Sequence, residues 1–223
     1  MLDIPTPSAV AARPRDSRGY PVPAITPWED GEPRFAATGV ARTFLCAAER
    51  RCSICATEMA PGPVWRVIGG EEADAVEAAV REGRTYRNLA PTAEAPGHRA
   101  CMLYAAMVCP YLARPNARRG QAAVAPGLDV DRGAARGVGG AVVGYQTYEF
   151  ELVSASAPQE LVLFRFAGLT EFRRYETGLE HLPELAAAVA SETPVVPLMP
   201  DYLGADEAAA QRAFEAYVER LLG

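Results

Sequence analysis

The stretches Cys52-Ser-Ile-Cys55 and His98-Arg-Ala-Cys101 indicate what this chain folds around. Two thiolates separated by two residues can hold one side of a metal ion. An imidazole and a thiolate three residues apart on a helical turn can hold the other side. Three cysteines and one histidine at this spacing form a ligand set that zinc prefers. The pattern therefore predicts a zinc site at Cys52, Cys55, His98 and Cys101.

The sequence around the two ligand pairs predicts the elements that carry them. Residues 37–51 place apolar side chains near one helical face and end at the first pair. Residues 98–109 are typical of a helix, which the following proline stops. Between the pairs, a strand, a helix and a returning strand are predicted over residues 63–68, 71–83 and 84–89. A knuckle, an intervening hairpin and a helix that begins at the second ligand pair are the layout of a treble-clef finger.

The rest of the chain predicts strands followed by helices. Residues 139–153, 161–166 and 170–175 are rich in β-forming residues, and their short, local connections favour an antiparallel arrangement. Residues 182–191 and 206–222 predict C-terminal helices. The predicted fold class is therefore α+β, with a treble-clef-like zinc module embedded in a domain that has a small antiparallel sheet and C-terminal helices.

The two ends of the chain differ in predicted organisation. Residues 1–18 are rich in proline and charge and show no period, so we expect a flexible N-terminal tail. Three prolines over residues 19–31 predict an extended arm that closes with a turn. We expect residues 19–223 to form a single α+β domain in which the metal module occupies about residues 46–112.

Composition limits the classes of function. The formal net charge of -6 argues against nucleic acid as the main partner, because such binding depends on clustered cations. The sequence has no run of eighteen apolar residues and no signal-peptide pattern, so we expect a cytoplasmic protein without a membrane segment. The five cysteines are then expected to be reduced, which favours a metal site over disulfides.

The remaining cysteines leave alternatives open. Cys46 lies inside an apolar helical stretch, and core is its favoured interpretation. Cys109 is two helical turns beyond Cys101 and is the reserve ligand. If Cys109 replaced His98, the all-cysteine site would suit an iron-sulfur cluster. A redox CxxC is the third alternative, although the motif lacks the strand-to-helix context of thioredoxin-like proteins.

Two other features are weaker candidates for function. His181 stands near a predicted helix start, where an exposed or capping role is favoured over general acid/base catalysis. Arg114, Arg118 and Arg119 lie in a loop that is either solvated or in contact with an anion. No glycine-rich segment has the form of a nucleotide-binding loop.

The chain resembles a family of uncharacterised proteins from actinobacteria and their phages. The resemblance rests on the Pro-Val-Pro arm, the CxxC, the segment from Pro96 to Cys101 and the run Cys109-Pro-Tyr-Leu-Ala-Arg-Pro115. It implies metal binding and no particular activity. Family members often carry a cysteine-containing segment where this chain has residues 67–70, and aromatic residues where it has Ala24 and Ile25. These departures imply a different pocket if those positions line one.

Two functions follow from these observations. In the first, zinc is structural and the surface binds a partner, either a protein or a small molecule. In the second, the chain is a metalloenzyme that acts on a small molecule, with an open zinc site, an iron-sulfur cluster or a haem centre. The complete set of four ligands favours the first function. An HNH-like nuclease would need a histidine between Cys55 and His98, and the chain has none there.

Overall fold

The computed structural model describes residues 3–84, 86, 91–113, 139–156, 159–193 and 197–223. The strands are β1 (Trp28–Glu29), β2 (Glu32–Pro33), β3 (Val64–Gly69), β4 (Gly140–Ser156) and β5 (Gln159–Tyr175). The helices are α1 (Ser8–Ala11), α2 (Val40–Ala48), α3 (Gly70–Arg81), α4 (Arg99–Val108), α5 (Pro110–Ala113), α6 (Leu182–Ala190) and α7 (Glu207–Leu222), with 3-10 turns at Leu179–His181 and Asp201–Leu203. The mixture of helices with small antiparallel sheets agrees with the predicted α+β class.

The larger sheet is built on the β4–β5 hairpin. Both strands are 17 residues long, and β3 pairs antiparallel with β4, giving the order β3-β4-β5. The two strands predicted over 161–166 and 170–175 are one continuous strand. The pairing of β4 with β5 shifts its register beside Tyr145. Close to this shift, Gly168 takes a left-handed φ of 73°. The returning strand predicted over 84–89 falls mostly outside the described residues.

Helices α3 and α4 cover opposite faces of this sheet. Neighbouring side chains on a strand point to opposite faces. On β3, Arg66 forms an ion pair with Glu72 of α3. Its neighbour Trp65 donates its indole N–H to Glu171, which in turn accepts from Arg99 at the start of α4. The ligand-bearing helix is therefore fixed to the sheet at its first turn.

The outer edge of β5 is hydrogen-bonded to another segment of the chain at one point. The backbone N–H of Thr92 donates to the Phe164 carbonyl at 3.0 Å, and the Phe164 N–H donates back to the Thr92 carbonyl at 2.8 Å. This pair of bonds attaches the segment before the second ligand pair to the hairpin.

Aromatic side chains join the C-terminal helix to the rest of the core. The ring of Phe44 on α2 makes edge-to-face contacts with Phe214 and Tyr217 of α7, at centroid distances of 5.1 and 5.6 Å. Phe150 of β4 completes the cluster at 5.7 Å. Such pairs contribute about 0.5–1.5 kcal/mol beyond the burial of apolar area. Helix α2 is thus held between the hairpin and α7.

The N-terminal segment, for which a flexible tail is predicted, contacts the rest of the chain over its described residues. Helix α1 buries Val10, which is 1% exposed. Arg13 is also buried, and it donates to the carbonyls of Val22 and Leu203 at 3.0 and 2.8 Å. These contacts come from single anchoring side chains and not from a periodic apolar face. The sequence pattern therefore does not predict this docking.

Arg42 connects three parts of the chain beneath the surface. It is fully buried on α2, and its guanidinium pairs with Glu207 at 2.6 Å. It also donates to the carbonyls of Gly204 and Asp206 at 2.9 and 3.1 Å, and more weakly to Ala24 at 3.4 Å. Arg42 therefore ties α2 to the start of α7 and to the N-terminal arm.

None of the described helices combines the length and the hydropathy that crossing a bilayer requires.

Replacing Arg42 by methionine should lower the free energy of unfolding by about 2–4 kcal/mol, because four acceptors, one buried and three partly buried, lose their donor. Urea denaturation followed by circular dichroism measures this change. Arg34→Met is the matched control, since Arg34 is exposed and its pair with Glu29 is solvated. Equal effects of the two substitutions would contradict the role assigned to Arg42.

Candidate metal centre

The first ligand pair lies in a tight reversal directly after α2. The helix ends where Arg50 adopts a left-handed φ of 50° and the Arg51 N–H reaches back to the Cys46 carbonyl at 2.7 Å. An antiparallel bridge between Arg51 and Glu58 then closes the turn. At its base, the Cys52 N–H donates to the Thr57 carbonyl at 2.9 Å. The turn holds both thiols of the CxxC on one side.

The second ligand pair is positioned by a short loop and the start of α4. His98 is the N-cap residue of α4, and Cys101 lies in its first turn. The loop before it is paired with β3 through two 2.9 Å bonds that the backbone groups of Trp65 and Gly97 exchange. The loop also reaches the knuckle, because the Ser53 N–H donates to the Pro96 carbonyl at 3.0 Å. The backbone therefore brings the two ligand pairs together without help from a disulfide.

All four predicted ligand atoms meet in one cluster. The sulfurs of Cys52, Cys55 and Cys101 and a ring nitrogen of His98 all lie within 4.8 Å of one another. A tetrahedral zinc with sulfur ligands at about 2.3 Å would place neighbouring sulfurs about 3.8 Å apart. The three cysteines are buried, and His98 is partly buried. The cluster has the size and the chemistry to hold one metal ion.

The orientation of His98 is fixed by a hydrogen bond on the far side of its ring. Nε2 lies 3.1 Å from the Glu58 carbonyl oxygen, and Nδ1 lies 3.5 Å from Cys55 Sγ. A carbonyl oxygen only accepts, so Nε2 carries a proton and Nδ1 is left facing the sulfurs, as the nitrogen that would bind a metal ion. An imidazole held in this way is the usual form of a metal-ligating histidine.

Two of the sulfurs lie near hydrogen-bond donors. The backbone N–H of His98 donates to Cys52 Sγ at 3.4 Å. The hydroxyl of Thr57 lies 3.1 Å from Cys55 Sγ and can donate to it. Three thiolates carry more negative charge than a divalent ion neutralises. Hydrogen-bond donors of this kind disperse the excess charge.

The pKa values within the cluster are strongly displaced in opposite directions. Burial raises the pKa of Cys52, but hydrogen bonds from the other three groups outweigh burial and hold it well below its usual value. Bonds to Cys52 and Cys55, together with burial, raise the pKa of Cys101 well above normal. For His98, burial lowers the pKa, but the two thiols of the CxxC raise it to about 11. A metal ion bound by the cluster would displace the protons that its ligands carry.

The other two cysteines lie outside the cluster. Cys46 is buried in the core, as predicted, and burial raises the pKa of its thiol. Cys109 is half-buried at the end of α4 and is not among the clustered ligand atoms. The cluster contains His98 rather than Cys109. Its ligand set is therefore three cysteines and one histidine, not four cysteines.

The other residues named as candidates are three arginines and His181. Arg114, Arg118 and Arg119 lie outside the described residues. His181 is buried rather than exposed, and although it occupies the N-cap position of α6, its side chain makes no capping hydrogen bond. It is 3% exposed, contacts the Tyr175 ring edge-on at 5.2 Å, and its Nε2 has no hydrogen-bond partner among the described residues.

Sequence reasoning missed the importance of Gly97. A Cβ atom at this position would lie 2.8 Å from Cys52 Sγ and even closer to the terminal methyl carbon of Met102. Only glycine lets the paired loop approach the ligand sulfur this closely. The Pro-Gly dipeptide before the histidine was the available signal, but it also marks an ordinary turn.

No family model, curated protein or solved structure matches this chain. The resemblance to actinobacterial and phage proteins therefore stays a prediction.

Replacing Gly97 by alanine should weaken binding of an added divalent metal ion about tenfold to a hundredfold, because overpacking beside Cys52 costs about 1–3 kcal/mol. Competition with a chromophoric chelator measures the affinity. Gly69→Ala is the control, since a Cβ at Gly69 would meet no atom within 4 Å. The role of Gly97 would be refuted by unchanged affinity in the Gly97 variant.

His181 should make stability depend on pH. Burial lowers its pKa below the ordinary 6.5, so the unfolded chain takes up a proton before the folded chain does. The contribution of the neutral ring is present above about pH 6.5 and is lost as the pH falls below that value. Urea denaturation between pH 7.5 and 5 should show that His181→Gln loses less stability on acidification than the wild type. Parallel losses would show that His181 is not responsible.

Proposed function

We propose that this chain is a cytoplasmic zinc-binding protein in which Cys52, Cys55, His98 and Cys101 hold one structural zinc ion. The observation that carries the proposal is the complete cluster of four ligand atoms within 4.8 Å of one another. Structural zinc sites are closed by four protein ligands, whereas catalytic sites keep one position for water or substrate. In a protein of this kind, a partner binds to the protein surface and does not coordinate the metal.

The ligand chemistry supports zinc over the alternatives. Three thiolates and one imidazole in a compact cluster match the tetrahedral preference of zinc. An iron-sulfur cluster is usually held by four cysteines, and the fifth cysteine, Cys109, is not in the cluster. Carboxylates, which magnesium and calcium prefer, do not belong to the clustered group.

The local architecture supports a treble-clef-like module. A knuckle closed by the Arg51–Glu58 bridge supplies one ligand pair, and the first turn of α4 supplies the other. Between them, β3 and the loop at Gly97 form a minimal antiparallel pair. The insertion of α3 and the pairing of β3 with β4 distinguish the module from a free-standing finger.

Metal at this position would stabilise more than the module itself. The N-terminal arm is paired with the knuckle, because the N–H groups of Ala24 and Ile25 donate to the carbonyls of Ile54 and Ser53 at 3.0 and 3.2 Å. The ion would therefore connect the arm, the end of α2 and the start of α4 at one point. Binding free energy of such a site contributes directly to folding.

Purified protein should contain one zinc per chain by mass spectrometry, and chelation should lower its thermal midpoint strongly, because metal binding and folding are coupled. Cys101→Ser should abolish stoichiometric binding. Cys109→Ser is the matched control and should retain both zinc and stability.

A cobalt-substituted sample distinguishes the structural site from a metalloenzyme. Co²⁺ in a closed site should give a tetrahedral spectrum that added cyanide or azide leaves unchanged. A spectrum that shifts with these anions would indicate an open coordination position and favour the metalloenzyme. Chelation without loss of thermal stability would rule out the structural role.

A further inference from the structure

A cleft of about 530 Å³ lies between the N-terminal arm and the C-terminal half of α4. Its size is within the range of small-molecule sites, about 300–1,000 Å³. The walls are mainly apolar, and they include Val22 of the arm, Ile54 of the knuckle and Met107 of α4. Two aromatic residues, Tyr20 and Phe35, also line the cleft and are half exposed to solvent. The cleft offers an apolar interior with an open aromatic rim.

The charge in this cleft is of one sign. Arg13 and Arg18 line it, and none of the described lining residues is acidic. Arg13 is 4% exposed, yet it forms no ion pair with a carboxylate in the described part of the chain. Its hydrogen bonds go to the carbonyls of Val22 and Leu203 and, at 3.8 Å, to the Met199 sulfur. A guanidinium has five N–H donors, so two are left over.

The environment of Arg13 makes this arrangement costly without an anion. Burial lowers the pKa of Arg13 to about 10, and the nearby Arg42 acts in the same direction. The thiols of Cys46, Cys52 and Cys55 oppose this shift of the pKa only in part. Buried charges in proteins are normally paired. A carboxylate placed in the cleft would supply the pairing that the described protein groups do not.

Arg18 adds a second cation at the rim. Its guanidinium lies over the rings of Tyr20 and Phe35, at 5.3 and 5.7 Å from their centroids. Its Nε donates to Asp16 at 2.8 Å, and its two terminal nitrogens have no hydrogen-bond acceptor among the described residues. Arginine and aromatic side chains together are typical of binding surfaces.

We propose that this cleft binds a small amphiphilic carboxylate. The apolar body, an acyl chain or an aromatic ring system, would contact the walls near Ile54 and Met107. The carboxylate would bind to the guanidinium of Arg13, with Arg18 at the entrance. This proposal goes beyond the structural zinc site and does not depend on which metal occupies it.

The test uses the full, zinc-loaded chain and the fluorescent probe 1-anilinonaphthalene-8-sulfonate, an aromatic anion. The probe should bind with enhanced emission, and decanoate or 2-naphthoate should displace it. Comparing these two competitors distinguishes acyl from aryl ligands. Decanol lacks the anionic group and should compete at least tenfold more weakly, since a charge-assisted bond contributes about 1.5–3 kcal/mol. Equal competition by decanol and decanoate would overturn the assignment of the arginines.

Three variants locate the site. Ala105→Leu places a larger side chain in the wall that α4 contributes, and should weaken probe binding at least tenfold. Arg18→Gln should weaken binding of the anions but not of decanol, whereas Arg34→Gln, at an exposed arginine outside the cleft, should have no effect. Arg13→Met should have the largest effect on anions, with circular dichroism confirming that it folds. Probe binding that is unchanged in both Ala105→Leu and Arg18→Gln would refute the cleft as the site.

Cys109 provides an independent reporter because it lines the cleft and is half-buried, whereas the other four cysteines are buried. Saturating decanoate or 2-naphthoate should slow alkylation of Cys109 by N-ethylmaleimide, measured by intact mass. If neither carboxylate protects Cys109, the proposal fails and a protein partner becomes the better occupant. Zinc content measured on the same samples separates this failure from failure of the structural zinc site.

Discussion

The approach of Gly97 to Cys52 is the constraint on which the metal module depends. The loop before α4 must pair with β3 and also reach the knuckle, and both contacts occur within a few residues of the ligand histidine. A side chain at position 97 would separate the two halves of the cluster. The ligands are therefore brought together by backbone pairing, so the fold defines the site before an ion enters it. A bound ion would then stabilise an arrangement that hydrogen bonds have already selected.

Buried arginines also hold separate elements of this fold together. Arg42 joins α2 to α7, and Arg66 lies between the sheet and α3, with its guanidinium over the rings of Tyr145 and Phe166. Arg13 anchors the N-terminal segment in a similar way. Each one satisfies carbonyl or carboxylate groups that a purely apolar core would leave unpaired.

The sequence predicted local features better than long-range ones. The ligand set, α2, α3 and α4 follow from spacing and periodicity, which are short-range signals. Pattern alone did not predict that residues 159–175 form one strand, because Gly168 interrupts the alternation without ending the ladder. The docking of Arg13 and the burial of His181 depend on contacts with distant segments, so neither could be seen in a local window. The sequence likewise does not show whether a glycine near a ligand forms a turn or allows close packing, because this depends on the atoms that lie against it.

The bonds between Thr92 and Phe164 have a consequence for assembly. An unpaired sheet edge is a template on which another chain can add a strand. At Phe164, the outward backbone groups of β5 are already occupied by Thr92 of the same chain. A second copy therefore cannot extend the sheet at this point, and the long hairpin is protected there against edge-to-edge aggregation.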